Sequence, residues 1–366
     1  MRRRARLVAV ALVGAAVAAA GALADLVSHE ASAYRVTHLV SDRGLGARVH
    51  DARLVNAWGL AASPTGPWWT ANEARSASTL YAADGRKQAL TVDVPGGPTG
   101  IAYNPGDGFV VRSGKASGAS RFIYACEDGM IRAWSPVVPH GWSTSAVIAV
   151  DQAERGAVFR GLALATLPNG NERIYATDFH NARVLVFDES WQPVVRRGAF
   201  VDRAIPAWYA PFGIQAAGSS VFVSYAWRAP VNGNDAPTGG YVDEFDLDGR
   251  LVARVAHMGP LDEPWGMAVA PKGFGPREGS LVVSNFGSGR VDVFERRTGG
   301  WSFRGVLHRG DGEPVELAGV WGIAFGNGNM AGPRTTLFFA AGPHTWRGAS
   351  ELGVRGLLGA VSPARR

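Results

Sequence analysis

A glycine near the start of an apolar strand recurs six times in this 366-residue chain, and this repeat constrains the fold more than any other feature. Successive glycines lie 41 to 61 residues apart, a spacing that suits one four-stranded propeller blade per repeat. Glycine at such a place permits a positive φ or a close approach of neighbouring backbones. The six segments are NAWGLAAS (56–63), PTGIAYNP (98–105), FRGLALAT (159–166), PFGIQAAG (211–218), PWGMAVAP (264–271) and VWGIAFGN (320–327).

Each segment is followed by a second strand of alternating large and small residues, and by a third strand after a polar turn. The sixth repeat has no fourth strand, whereas the N-terminal strand 34–40 has no repeat of its own. We therefore predict an all-β, six-bladed β-propeller over residues 34–366, closed by the N-terminal strand as the outer strand of blade six. An open β-solenoid or two β-sandwiches is the alternative. Fourth strands are predicted at 89–94, 146–151, 193–200, 251–256 and 302–307.

The first 33 residues are typical of a secretory signal peptide. A basic start, MRRRAR, precedes an apolar run, and A-x-A endings at Ala24 and Ala33 offer two cleavage sites. An uncleaved membrane anchor is the alternative. Without this segment, which holds four Arg, one Asp and one Glu, the net charge falls from +6 to +4. We expect a secreted or periplasmic protein without a membrane span after cleavage.

The composition argues against a nucleic-acid-binding protein and against a disulfide-stabilised one. No Lys/Arg block stands beside an aromatic platform, so nucleic-acid binding is not indicated. Cys126 is the only cysteine, so no intrachain disulfide can form even in an oxidising compartment. Stability must come from packing, and the chain is expected to be a monomer.

The segment RIYATDFHNARVLVF (173–187) resembles the repeats of NHL-type propellers. The order of NAWGLA, PWGMAVAPKGFG, SNFGSGRVDVF and VWGIAFGNG is similar to an uncharacterised family of exported bacterial propeller proteins. Some members of that family carry a C-terminal sorting tail of the PEP-CTERM type, which this sequence does not show. The resemblance implies the fold and export, and it assigns no catalytic residue.

Ligand sites of propellers usually gather at the channel mouth. Aligning the ends of the second strands places one residue of each blade in a ring, namely Asn72, Glu127, Asp178, Tyr225, Asn285 and Gly342. Carboxylate and amide oxygens suit a hard cation such as Ca²⁺, with Glu127, Asp178 and Asn285 as the possible metal ligands. This layout resembles that of gluconolactonase-like propellers. Alternatively, Asp178 and Asn285 accept bonds from backbone donors at tight turns.

Two histidines are weaker candidates for the same mouth. His180 follows Asp178 on one turn, and His344 has a similar place in blade six; a turn or surface role is the alternative for each. No zinc-protease, thiol-redox or nucleophile-elbow motif is present. We expect a non-enzymatic scaffold that presents loops to a protein or glycan partner. A metal-dependent hydrolase, lactonase or lyase at the channel mouth is the alternative.

Overall fold

The repeat glycines bring six inner strands side by side around a central channel. The computed structural model describes residues 33–228, 239–276, 278–347 and 350–364, and in it each inner strand contacts the next and the last contacts the first. A Cβ added to Gly213 would lie 1.9 Å from the carbonyl oxygen of Trp265, and one added to Gly322 would lie 2.6 Å from that of Trp58. The repeat thus reflects close backbone approach between blades, and not a positive φ.

Each blade is an antiparallel sheet that runs from the channel to the rim, and the predicted six-bladed propeller is confirmed. The strands, from the inner one outward, are Ala57–Ala62, Trp68–Asn72, Ala77–Tyr81 and Lys87–Asp93 in blade one; Pro98–Tyr103, Phe122–Cys126, Met130–Trp134 and Val147–Asp151 in blade two; Phe159–Thr166, Glu172–Asp178 and Arg183–Asp188 in blade three; Tyr209–Ala217, Ser220–Trp227, Tyr241–Asp246 and Leu251–His257 in blade four; Pro264–Val269, Leu281–Asn285, Val291–Arg297 and Gly300–Val306 in blade five; and Val320–Phe325, Leu337–Ala341, Leu357–Pro363 and Ala33–Ser41 in blade six.

The N-terminal strand closes the ring as predicted. Ala33–Ser41 pairs antiparallel with Leu357–Pro363, placing Arg35 opposite Ser362 and His38 opposite Gly359. Its Val40 is fully buried. The first strand of the described chain and the last are therefore held in one sheet, which leaves no open end in the array of blades.

Blade three departs from the prediction. Residues 193–200 form no strand, because only one isolated bridge, Phe187 to Pro193, joins them to the third strand. The amide of Val194 still donates to Val186 at 2.8 Å, and the chain leaves the sheet after this residue. Blade two carries an additional small hairpin between its inner and second strands, Val110–Ser113 with Ala116–Ala119.

The remaining elements are short. Val49–His50 and His308–Arg309 each pair in parallel with the N-terminal strand, and a second hairpin joins His344–Arg347 to Ser350–Val354. Two 3₁₀ turns, Glu73–Arg75 and Ala153–Arg155, are the helical elements of the described residues. Neither approaches the length or hydropathy of a membrane span.

Hydrophobic cores lie between neighbouring blades. The faces of blades two and three, for example, meet at Ile123, Ile131, Phe159 and Ile174, which are all fully buried. Packing large side chains between flat sheets fixes the angle between blades. The scaffold therefore holds the loops at the ends of the channel in defined positions.

Candidate functional site

One end of the channel carries a backbone hydrogen bond that repeats in five of the six blades. The residue after the second strand donates its amide N–H to the carbonyl of the residue three positions before the repeat glycine. We call this end the channel mouth. The bonds are Glu73 to Asn56 (3.1 Å), Glu127 to Gly97 (3.0 Å), Phe179 to Val158 (2.9 Å), Phe286 to Glu263 (3.1 Å) and Gly342 to Gly319 (2.9 Å).

An aromatic plug closes the channel at this mouth. Trp58 stacks on Trp321 with ring centroids 3.6 Å apart and an interplanar angle of 10°, and Trp321 also stacks on Phe286 at 3.8 Å. Below the plug the channel retains a cavity of ≈ 40 Å³ lined by apolar side chains such as Leu60 and Ile214. A ligand at this end must therefore sit on the plug. Its members are Trp58, Phe179, Phe212, Trp265, Phe286 and Trp321.

Arg160 is the cation in this aromatic surrounding. It stands directly before the repeat glycine of blade three, where three other blades carry tryptophan. Its guanidinium carbon lies 5.2 Å from the Trp58 ring centroid and 6.0 Å from that of Phe179. Nη1 of Arg160 forms an ion pair with Oε1 of Glu127. Burial lowers the pKa of Arg160 and nearby Glu73 opposes this, so the guanidinium stays charged.

Three buried N–H groups of this region lack an acceptor in the described structure. They are Nε of Arg160 and the indole Nε1 atoms of Trp58 and Trp265. Burying a donor without a partner costs about 1–3 kcal/mol, so such groups usually bind water or a ligand. Because these donors are buried, an ordered water inside the protein can reach them, whereas a ligand on the surface of the plug cannot.

Two carboxylates flank Gly97 at the rim. A Cβ added to Gly97 would lie 3.3 Å from Oε2 of Glu127 and 3.5 Å from Oε1 of Glu73. The amide of Asn56 donates to Oε2 of Glu73 at 2.6 Å and accepts from Nε1 of Trp321 at 3.1 Å. The rim thus presents oriented oxygen acceptors beside the aromatic plug.

Backbone conformation marks two of the rim residues. Asn56 (φ 48°) and Glu263 (φ 53°) hold the repeat position that Gly97 (φ 70°) and Gly319 (φ 65°) hold in other blades. This left-handed region favours glycine, and non-glycine residues held there cluster at functional sites. Burial, with a smaller effect of the neighbouring Asp262, raises the pKa of Glu263. Two blades therefore place a polar side chain where two others have none.

Strand pairing explains which predicted residues reach the mouth. The residues that pair with the start of the inner strand are all buried within the blades. Glu127 comes one position after this set, as Glu73 does. Because side chains alternate along a strand, a one-residue shift moves a side chain to the other face. Of the residues predicted for the ring, Glu127 and Gly342 lie at the mouth, while the paired set is Asn72, Cys126, Asp178, Tyr225, Asn285 and Ala341.

Asp178 and Asn285 accept hydrogen bonds at tight turns, the arrangement that the sequence left as the alternative. Oδ1 of Asp178 accepts from the amide of Val158 at 3.2 Å, and Oδ2 accepts from Nε of Arg183 at 2.9 Å. Oδ1 of Asn285 accepts from the amide of Asp262 at 2.9 Å. These oxygens are occupied by donors of the protein itself.

Asn72 and Tyr225 are also held inside their blades. The Asn72 amide accepts from Oγ1 of Thr70 at 2.8 Å and donates to Oγ1 of Thr79 at 2.7 Å. The Tyr225 hydroxyl has no partner among the described residues. Burial, with a contribution from Asp243, raises the pKa of Tyr225 well above its ordinary value.

The two histidines predicted for the mouth, His180 and His344, have different outcomes. His180 is exposed on the turn after Phe179, and its carbonyl accepts from Nη1 of Arg228. His344 begins a strand whose side chains lie outside the described part of the structure.

In the described ranges no three His, Cys, Asp or Glu side chains are grouped to hold a metal. The Ca²⁺ site at Glu127, Asp178 and Asn285 stays a prediction.

Sequence reasoning missed Glu73, Arg160 and Glu263. One signal was available, because the residues before the six repeat glycines are Trp, Thr, Arg, Phe, Trp and Trp. Arg160 is the charged one in this set. Glu73 and Glu263 required the strand register, because their positions depend on the backbone bonds at the mouth.

Comparison with known proteins places the chain beside viral relatives. No family model matches it. Two proteins of Acanthamoeba polyphaga mimivirus, the uncharacterized proteins L690 and R648, are each 31% identical over 306 residues, which cover 80% of this chain and 78% and 73% of theirs. Since these relatives are viral, the predicted bacterial origin and export stay predictions.

Solved structures share the fold at low identity. The soluble aldose sugar dehydrogenase of Escherichia coli, in its apo-form, has a TM-score of 0.53 at 12% identity, over 90% of this chain and 100% of that one. A protein of unknown function from Bacteroides thetaiotaomicron has a TM-score of 0.55 at 12% identity, over 90% and 76%. At such identity the likeness concerns the fold alone.

Proposed function

This chain belongs to the protein family of the mimivirus proteins L690 and R648, and we propose that it is a binding module whose channel mouth takes the sugar of a glycan partner. The observation that carries the proposal is the position of Arg160, which lies over Trp58 and Phe179 and pairs with Glu127. Fixed polar groups on an aromatic floor are the usual composition of a small-molecule site.

The chemistry of the mouth favours a neutral sugar. Phe179 and Phe286, the partly exposed rings of the plug, can contact the apolar face of a sugar ring, while carboxylates and a guanidinium can each bond two neighbouring hydroxyls. Glu73, Glu127 and Glu263 outnumber Arg160, so an anionic ligand would meet repulsion.

Binding can be tested by titrating the full chain with a panel of neutral, acidic and basic oligosaccharides while tryptophan fluorescence is recorded. We expect saturable changes with neutral sugars. Glu127→Gln keeps the shape but removes the ion pair with Arg160, and should weaken binding by roughly tenfold, the effect of losing one charge-assisted hydrogen bond.

The matched control is Glu278→Gln, an exposed residue in the loop after the inner strand of blade five, at the other end of the channel. It should bind like the original chain. Absence of saturable binding to any sugar, or equal affinity of Glu127→Gln and the original chain, would overturn the proposal.

A divalent cation at the rim is the second candidate. Glu73 and Glu127 approach one point beside Gly97, and carboxylate oxygens are ligands that Ca²⁺ prefers. A bound cation would support the hydrolase, lactonase or lyase alternative. Metal analysis and a thermal shift with Ca²⁺ and with EDTA test it. Stoichiometric metal, with a higher Tm that Glu73→Gln abolishes, is the expected result.

Export is a separate part of the proposal. Residues 1–32 lie outside the described residues, and their basic and apolar pattern supports cleavage of a signal peptide. The mature module would then meet glycans outside the cytoplasm. Mass spectrometry of the protein from its native source should find an N-terminus after Ala24 or Ala33, and an intact N-terminus inside the cell would contradict export.

A further inference from the structure

Blade three has three strands, whereas each of the other blades has at least four in the described structure. Its third strand, Arg183–Asp188, is therefore the edge of its sheet. The chain that follows pairs with it only at two points: the amide of Asp188 donates to Gln192 at 2.9 Å, and that of Val194 donates to Val186 at 2.8 Å. Beyond Val194 the pairing ends.

The remainder of this edge offers free backbone groups. Peptide groups alternate in direction along a strand, so Val184 presents its N–H and C=O to the same side as Val186. Neither these two groups nor the N–H of Val186 has a backbone partner in the described part of the chain. An unpaired edge of this kind can accept a further strand.

A groove of ≈ 460 Å³ runs along the edge and separates it from blade two. Its apolar wall includes Val150 of blade two and Val184, Val186 and Val194 of blade three. Among the described residues that line it, the charged ones are Arg155, Arg183 and Arg196, and none is Asp or Glu. Arg183 already pairs with Asp178 at 2.9 Å, so Arg155 and Arg196 are the main charges of this groove.

A second groove of ≈ 420 Å³ continues from the first and shares Arg196. It adds Arg197 and Arg250, and its single acid, Asp248, already pairs with Arg173 at 2.8 Å and Arg196 at 3.0 Å. The two grooves together form a basic track beside an open strand edge.

We propose that blade three binds an extended acidic segment of a partner protein, which pairs with the open part of this edge, at Val184 and the N–H of Val186. In a strand with period two, apolar residues on one side would fill the valine-lined groove while acidic residues alternate toward the arginines. A second copy of this chain is disfavoured, because edge-to-edge pairing would bring like charges together. The site is independent of the channel mouth.

The test uses fluorescence anisotropy of a labelled synthetic peptide in which valine alternates with glutamate. We expect saturable binding that weakens with added salt, and no binding of the matched valine–lysine peptide or of a version with proline at alternate positions. The Arg155→Glu/Arg196→Glu double variant should bind roughly tenfold more weakly, since each exposed ion pair is worth up to about 1 kcal/mol.

The control with the same change in net charge is the double variant Arg43→Glu/Arg86→Glu. These two arginines belong to other blades, and their side chains are 70% and 71% exposed. It should bind like the original chain. If both double variants weaken binding equally, attraction is non-specific and the proposal fails.

Hydrogen exchange supplies a second readout for strand addition. The amides of Val184 and Val186 should become protected when the peptide is bound, because each gains an acceptor. Binding without that protection would refute strand addition. Concentration-dependent dimers that protect the same amides without peptide would assign the edge to a second copy and overturn the peptide proposal.

Discussion

Replacing Asp292 with asparagine should change how the stability of the propeller depends on pH. Asp292 lies in blade five with only 1% of its side chain exposed. Its Oδ2 accepts from Nδ2 of Asn285 at 3.0 Å, but its Oδ1 has no partner in the described structure. Burial, opposed by the bond from Asn285 and the charge of Arg290, raises the pKa of Asp292 to about 7.

The sign follows from proton linkage. A carboxyl whose pKa is higher in the folded than in the unfolded state stabilises the fold at low pH, and that stabilisation is lost between the two pKa values. The interval from the ordinary 3.8 to about 7, at about 1.4 kcal/mol per pH unit, amounts to ~4 kcal/mol. Asparagine does not titrate, so it avoids this loss.

The free energy of unfolding should be measured by urea denaturation, followed by tryptophan fluorescence, at pH 4 and pH 8. The stability of Asp292→Asn relative to the original chain should rise by ~4 kcal/mol between these pH values. Costs that do not depend on pH, such as an unpaired amide of ~1–3 kcal/mol, cancel in this comparison. Asp107→Asn, with 97% exposure, is the control. A relative change below about 1 kcal/mol would refute a neutral buried carboxyl at Asp292.

Three further predictions concern packing. Gly213→Ala should destabilise the fold by about 1–3 kcal/mol or more in urea denaturation, because its Cβ would lie 1.9 Å from the carbonyl oxygen of Trp265 in the next blade. Gly141→Ala, whose Cβ would meet no atom within 4 Å, should be nearly neutral, and equal effects of the two variants would contradict the close approach. Leu39 lies on the closing strand with 3% exposure, so Leu39→Ala should lower the free energy of unfolding by about 2–5 kcal/mol, far more than Leu251→Ala, whose leucine is 39% exposed. A small effect of Leu39→Ala would argue against ring closure by that strand. Cys126 is fully buried and burial raises the pKa of its thiol to about 12, so a thiol reagent at pH 8 should label it only in urea; rapid labelling of the native protein would contradict this burial.

The glycine repeat predicted most of the fold. Six glycines in register specify six blades, because the backbones of neighbouring inner strands approach too closely for a side chain at those positions. The sixth repeat lacks a fourth strand, and the N-terminal strand belongs to no repeat. The sequence therefore predicts the N-terminal strand as the outer strand of blade six, and its pairing with Leu357–Pro363 confirms this. The predicted fourth strand of blade three was wrong because alternation in 193–200 does not reveal that the pairing ends after Val194.

The sequence by itself determined the number of blades, their order and the way in which the ring closes, since these follow from periodicity along the chain. Tertiary structure decided which side chains meet at the channel mouth. The register between strands sets the face that each side chain occupies, and a difference of one residue separates buried Asn72 and Asp178 from Glu73 and Phe179 at the mouth. Arg160 and Glu127, 33 residues apart, pair only because the blades curve around a common axis. Contacts of this kind depend on distances between blades, which no local pattern encodes.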